Sequence, residues 1–313
     1  MYTVRCYEKE DYVVWNEFVG LAKNGHFFFH RNYLEYHADR FIDFSLLIFD
    51  EKNSLIALLP ANILDEEVYS HQGLTFGGLI TKTSMKQVVV INILKSVIEF
   101  LQRMNIKSFI YKAVPYIYHV FPSDEDLYAL FKLGAKLIRR DVSSTINLQN
   151  QLPYNKGRKW LVKKAKSSGA EIRKVDDVDL FWQQLNRVLS ANHGVSSVHN
   201  VKEFKYLMEL FPDNIFCYGT YYQSNLLSGA VVYENKGVAH TQYLFNTEQG
   251  RDIGGLDLLI DYLVKDIYKD LRFFDFGTSN EQQGQYLNEG LIAQKEGFGA
   301  RAVSHDFYEI TLK

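Results

Sequence analysis

Residues 134–141 read Gly-Ala-Lys-Leu-Ile-Arg-Arg-Asp, and residues 299–306 read Gly-Ala-Arg-Ala-Val-Ser-His-Asp. The offset is 299 − 134 = 165 residues, and each copy runs into a short strand-like tail, Ser-Thr-Ile-Asn-Leu at 144–148 and Tyr-Glu-Ile-Thr-Leu at 308–312. Solenoid units repeat every ~20–50 residues, so this period is the size of a whole domain. The repeat predicts two domains of similar fold in tandem, and 313 residues is a length that suits two.

More of the repeat lies inside each half. Phe44–Phe49 and Leu55–Leu59 are apolar runs around Asp-Glu-Lys-Asn-Ser, a hairpin signal. Ile215–Tyr222 and Leu226–Tyr233 around Gln-Ser-Asn repeat it, and a third strand is expected at Val68–Leu74 and at Val238–Leu244. Val90, Ile91, Leu94, Val97, Ile98 and Leu101 follow helical spacing, as do Leu256, Leu259, Ile260, Leu263 and Ile267. Each helix leads into a buried strand, Ser108–Tyr111 or Phe273–Phe276. A helix between two strands is a crossover that favours parallel neighbours, whereas the hairpins are antiparallel. Each half is therefore α+β, a mixed sheet closed by its own last strand. Further helices are expected at Asp11–Lys23, Arg31–Phe41, Tyr154–Ser168 and Val178–Ala191. The pattern breaks at Gln-Asn-Gln-Leu-Pro-Tyr-Asn, which sets the domains at 1–150 and 151–313.

Composition narrows the function. A formal net charge of −2 gives no basic field for nucleic acid or an anionic membrane. The two cysteines, Cys6 and Cys217, make no metal spacing or disulfide framework, and neither has an evident His partner for covalent catalysis. The charged N-terminus lacks the apolar core of a signal peptide, and no apolar window is long enough to span a bilayer. These features predict a cytoplasmic protein with no metal.

Helices, an antiparallel hairpin and strand, then a crossover helix and strand, resemble the GNAT acyltransferase fold, and two in tandem resemble its FemAB/FemX-like branch. Three segments carry the resemblance over essentially the whole chain. Gly157-Arg158-Lys159-Trp160-Leu161-Val162-Lys163-Lys164 opens the second half like the branch's basic helix. Phe274-Asp275-Phe276-Gly277-Thr278-Ser279 is similar to its strand-end motif. Gln294-Lys295-Glu296-Gly297-Phe298-Gly299 is similar to its Phe-Lys-x-x-Phe-Gly motif, with Gln294 in place of the first Phe. The overall likeness is to FdhC-like sugar N-acyltransferases. It implies two tandem GNAT-like domains, each a mixed twisted β-sheet flanked by helices. It also implies transfer of an acetyl or short hydroxyacyl group from acyl-CoA to the amine of a dTDP- or UDP-linked deoxy-amino sugar, for surface polysaccharide. The alternatives are aminoacyl transfer from tRNA to a peptidoglycan precursor, as in the FemX type, and an inactive binding protein that kept the fold.

Several residues are candidates for chemistry. Asp275, among Phe273, Phe274 and Phe276, reads as a general base with its proton affinity raised by apolar surroundings, or as an acceptor for the following turn. His240 on the adjacent strand is easily poised near neutral pH, or is structural. Lys295 is a candidate cation for an oxyanion or a phosphate. Gly250-Arg251-Asp252-Ile253-Gly254-Gly255 joins a strand to a helix, so Arg251, Gly254 and Gly255 are candidates for the CoA diphosphate, with Tyr243 and Phe245 beside them. The family's Arg/Gln-x-x-Gly-x-Gly/Ala loop departs here at Leu256. In the first half His71, Gly73 and Thr75 lie in a Gly-rich run that lets a ligand approach the backbone, and Lys112 and Tyr116 follow the crossover strand. With His193 they are the candidates for the acceptor nucleotide. Lys159, Lys163 and Lys166 share a helix face that meets diphosphate or solvent.

Overall fold

The repeat shows itself as one local structure built twice. The computed structural model describes residues 2–36, 38–193 and 197–312, with Asn192 and His193 described by backbone alone. Strands β1 (Thr3–Cys6), β2 (Ile42–Asp43), β3 (Leu46–Phe49), β4 (Leu55–Leu59), β5 (Asn62–Leu64), β6 (Glu67–Tyr69), β7 (Ile80–Thr81) and β8 (Ser108–Lys112) come first, with helices α1 (Tyr12–Leu21), α2 (Arg31–Glu35), α3 (Gln87–Arg103) and α4 (Glu125–Lys132). The strand β9 (Lys136–Asn147) follows α4. Then come α5 (Lys156–Ser168), β10 (Glu171–Lys174), α6 (Val178–His193), α7 (Val201–Leu210), β11 (Ile215–Tyr222), β12 (Asn225–Asn235) and β13 (Val238–Asn246). After these come α8 (Glu248–Ile253), α9 (Gly255–Tyr262) and β14 (Phe273–Thr278). A small hairpin, β15 (Asn280–Glu281) and β16 (Tyr286–Leu287), precedes α10 (Glu289–Glu296) and β17 (Arg301–Thr311). Each repeat copy is a helix end, a glycine in left-handed conformation (Gly134 at φ 78°, Gly299 at φ 84°) and a long strand. Only glycine adopts that turn without steric cost, and it is what makes the two copies legible.

The chain forms two compact units. Unit 1 comprises Met1–Asp141, Gln282–Gly284 and Ser304–Lys313; unit 2 comprises Val142–Glu281 and Gln285–Val303. In unit 2 the strand order is β10–β11–β12–β13–β14, followed by residues 143–147 of β9. Neighbours are antiparallel except β13 and β14, which run parallel as a crossover through α8 and α9 requires. The apolar stripe of α9 (Leu256, Leu259, Ile260), continued by Leu263 and Val264 in the π-helical turn that follows it, buries against Ala230, Val232, Ala239, Phe274 and Phe276. In unit 1, β1–β3–β4–β7 and β2–β5–β6–β8 repeat this plan, with β6 and β8 as the parallel pair. Pro60 cannot donate to a ladder, so the second strand of the hairpin breaks there into β4 and β5. The strand that completes unit 1 beside β8 is residues 307–311 of β17.

Two expectations are corrected here. The halves do not each keep their own last strand: residues 143–147 serve unit 2 and residues 307–311 serve unit 1. The third strand of the first half is short, ending at Tyr69 where Val68–Leu74 was expected, and α2 stops at Glu35.

The short strand has a cause. Beyond the last paired row, Tyr69–Ile110, the strands β6 and β8 part, and the chain's own residues 70–77 fill the gap. Ser70 Oγ accepts from the Lys112 amide at 2.7 Å, and the Gly77 amide donates to Lys112 O at 3.1 Å. The Lys112 ammonium donates to His71 O at 2.9 Å, to Gln72 O at 3.3 Å and to Leu74 O. A Cβ at Gly77 would stand 1.8 Å from Ser70 O, so only glycine closes this plug. Gly77→Ala is expected to cost at least ~2 kcal/mol of stability, read as a lower urea midpoint at unchanged slope.

Candidate active site

In unit 2 the corresponding parallel pair also parts, and there no chain segment is hydrogen-bonded in the manner of the unit 1 plug among the described residues. The last paired row of β13 and β14 is His240–Asp275. The same row continues onto β9, where Asp275 stands opposite Thr145. Three neighbouring strands therefore place His240, Asp275 and Thr145 in one line across the sheet, at the point where the strands diverge.

Asp275 is fully buried. Its Oδ2 lies 2.8 Å from His240 Nδ1, and its Oδ1 accepts from Thr145 Oγ1 at 2.8 Å and from Ser143 Oγ. Ser143 and Thr145 both reach it because alternate residues of a strand share a face. A carboxylate that accepts at Oδ2 makes His240 Nδ1 the donor, so Nε2 is the ring's acceptor nitrogen. The imidazole edge bearing Cε1 and Nε2 lies against Gly277, where a Cβ would stand 3.1 Å from Cε1 and 3.8 Å from Nε2. Gly277 takes φ 73° and lies in the register break between Asp275 and Thr278.

Lys295 fixes that break. Its ammonium, 5% exposed, donates to Gly277 O at 2.8 Å, Thr278 O at 2.8 Å and Ser279 Oγ at 2.9 Å. All three N–H donors are engaged, so the lysine holds the strand end rather than presenting a free cation. Burial lowers its pKa to about 8, against the opposing pull of Asp275. The rest of the motif is structural too: Phe298 stacks on Phe276 at 5.8 Å, and Gly299 passes so close to Leu152 O that a Cβ would sit 2.5 Å away.

The expected diphosphate loop is not a loop. Residues 248–253 form α8, whose N-cap Thr247 accepts from the Gly250 amide at 3.0 Å. Gly254 kinks α8 into α9 at φ 90°, packed so tightly that a Cβ would lie 2.6 Å from Leu161 O, and Gly255 faces Ser228 Oγ. Gly254 lets α5 pack on the bend, and Gly255 lets the start of α9 pack toward β12. Arg251 is exposed and lines a cavity of about 590 Å³ with Arg187, Gln184, Asn225, Asn246 and Glu248. Arg251 Nη1 donates to Asn246 O at 3.1 Å, and neither arginine has an ion pair among the described residues. Arg187 carried no motif and was missed by the sequence reading. Tyr243 and Phe245 are packing residues: Phe245 meets the Phe181 ring at 5.0 Å, and Tyr243 meets Trp182 at 5.4 Å and His199 Nδ1 at 2.6 Å. In the basic helix, Arg158 pairs with Asp257 at 2.8 Å and Lys166 with Asp261 at 2.9 Å, while Lys159 and Lys163 are exposed.

In unit 1, Lys112 and His71 are buried in the plug, with burial lowering the Lys112 pKa to about 7 and Arg139 adding to the effect. The His71 Nδ1 accepts from the Gly73 amide at 3.2 Å. Thr75 and Tyr116 are exposed. The side chain of His193 lies outside the described residues, as does Gly194. Among the described residues there is no group of three or more His, Cys, Asp or Glu side chains placed to hold a metal ion, and no helix long and apolar enough to cross a membrane.

With this geometry in hand, the comparison with solved structures is decisive for the fold. FemX superposes with a TM-score of 0.70 at 10% identity, over 99% of this chain and 97% of that one. The fold is FemX-like. A tandem GNAT protein from the clavulanic acid biosynthesis pathway superposes at TM-score 0.53 and 9% identity, over 100% and 99% of the two chains. L-PGS from Bacillus licheniformis gives 0.59 at 11%, over 97% and 92%. No family model matches the sequence, and no curated protein matches it. The FemX-like fold thus has one parted strand pair plugged by its own chain and one lined by a His–Asp pair.

Proposed function

We propose that the protein is an N-acyltransferase that moves an acyl group from acyl-CoA to the amine of a nucleotide-linked deoxy-amino sugar. The observation that carries this reading is the His240–Asp275 row at the point where β13 and β14 part. The acceptor amine loses its proton to His240 Nε2 as it attacks the thioester carbonyl, and the thiolate leaves. Asp275 holds the ring and balances the imidazolium; its own oxygens are all engaged, so the base assigned to it from sequence passes to His240. Holding amine and carbonyl in line supplies much of the rate. The donor's phosphates have a natural place at Arg187 and Arg251. Asn246, at the cavity, is six residues along β13 from His240, or ~20 Å of extended strand, comparable with the reach of a phosphopantetheine arm. The net charge of −2 and the resemblance to sugar N-acyltransferases support this donor and acceptor; a hydroxybutanoyl group and a cytoplasmic setting follow from the same resemblance.

The superposition on FemX favours a second reading, aminoacyl transfer from tRNA to a peptidoglycan precursor. One assay separates them. The protein is mixed with acyl-CoAs of several lengths and a panel of dTDP- and UDP-amino sugars, and free thiol is followed. Thiol release that depends on the amino sugar supports the first reading; consumption of aminoacyl-tRNA alone supports the second; CoA binding without turnover marks a binding protein. Under the first reading, Arg187→Ala with Arg251→Ala raises KM for acyl-CoA ~10–100-fold and leaves kcat within about threefold, since ground-state contacts to the donor are lost.

A further inference from the structure

We infer that Ser143 and Thr145 are positioning residues that select the working tautomer of His240 through Asp275, an inference that rests on the acyl-transfer reading for its kinetic consequence but not for its geometry. Neither residue has a place in the motifs of the second half. Both come from the strand that follows α4, and they reach unit 2 only because residues 143–147 pair with β14.

Asp275 is fully buried, as is Ser143, and Thr145 is 6% exposed, so water does not supply their partners freely. Three polar groups converge on one carboxyl group: two hydroxyls on Oδ1 and one ring nitrogen on Oδ2. Hydroxyls that donate to Oδ1 stabilise the ionised carboxyl group, and a carboxylate can only accept from Nδ1 through Oδ2. The ring proton is then favoured on Nδ1, and Nε2 carries the lone pair that takes a proton from an amine. Without the hydroxyls, Oδ1 loses two donors in a buried site, which favours a carboxyl group that turns or keeps a proton of its own. Either change lets His240 adopt the other tautomer, in which Nε2 carries the proton and cannot act as base. Ser143 and Thr145 touch no reacting atom; they act through Asp275.

The test uses the full chain with 15N-labelled histidine. In the wild type the His240 ring shifts should report a protonated Nδ1 and an unprotonated Nε2. In the double variant Ser143→Ala with Thr145→Val, which preserves side-chain bulk at 145, the second tautomer should appear. In turnover, kcat should fall at least tenfold with KM within about twofold, because binding is untouched. Thr145→Ser, which keeps the hydroxyl, should retain at least half of wild-type kcat and the wild-type tautomer. Where the double variant does not fold, Thr145→Val alone should show the same effects in smaller measure. A folded variant with wild-type tautomer and wild-type kcat overturns the inference. The two readings fail separately: should no acyl transfer be found, the ring shifts still decide the tautomer question; should His240→Ala abolish transfer while loss of the hydroxyls changes nothing, the acyl-transfer reading stands and this one falls.

Discussion

Replacing His240 with Ala is expected to lower kcat for acyl transfer ~1,000-fold and to leave KM for both substrates within about threefold, because a positioned general base contributes ~10²–10⁴-fold and little to ground-state binding. Asp275→Asn should fall nearly as far. An amide at 275 is isosteric, but its Nδ2 cannot accept from two hydroxyls or from an imidazole N–H, so one side of the buried cluster loses its acceptor. The double variant should be no slower than the slower single one, as groups that act as a unit are not additive. Full additivity, with each loss multiplying the other, would show that the two residues work independently and would remove the dyad from the mechanism. A small effect of His240→Ala with a large effect of Asp275→Asn would return the base to the carboxylate. The burial of Asp275 and its engaged oxygens argue against that result.

The sequence carried the plan of each unit and stopped at the joins between segments. The hairpins at 44–59 and 215–233 and the amphipathic helices α3 and α9 were legible because periods of 2 and 3.6 are local signals. His240 and Asp275 were legible as neighbours for the same reason, since strand, crossover helix and strand imply a parallel pair. Their division of labour was not, because it depends on which oxygen faces which donor. The exchange of the last strands was hidden: an apolar strand announces that it will pair, and its partner is set by contacts more than a hundred residues away, such as Ser143 with Asp275. Hence Thr145 was read as part of a tail of the first half, and Ser143 was not singled out. Gly254 and Gly255 misled in the opposite direction. A Gly-rich turn before a helix suits an anion, but here Gly254 lets α5 approach the backbone and Gly255 packs toward Ser228, and the polar cavity formed instead at Arg187 and Arg251. Lys112 and Lys295 show the same ambiguity, because a buried ammonium that binds carbonyls leaves no local trace in sequence.

Lys295 yields the second large effect, and its sign with pH separates a structural role from a catalytic one. Lys295→Met keeps the bulk and removes all three donors, so Gly277 O, Thr278 O and Ser279 Oγ lose their partner at the strand end. The loss of charge-assisted hydrogen bonds should lower stability at pH 7 by ~3 kcal/mol, after relief of the cost of burying the ammonium. That cost also sets a pH dependence. The folded-state pKa is lowered to about 8 from 10.5, mainly by burial. Between those values the unfolded chain binds more protons than the folded one, so the contribution of Lys295 to stability rises with pH through this window and is flat below it. The interval corresponds to about 3 kcal/mol at full extent. Lys112, lowered to about 7, has the same sign, and it is present in both proteins. The difference between wild type and Lys295→Met, measured by urea unfolding at pH 7, 8, 9 and 10, therefore isolates Lys295 and should widen as pH rises. A constant difference would mean that the ammonium is not held in a desolvated site. Activity should fall with the same substitution, because the Gly277 turn beside the His240 ring is then no longer pinned; KM for the donor should move less than kcat, as no phosphate contact is removed.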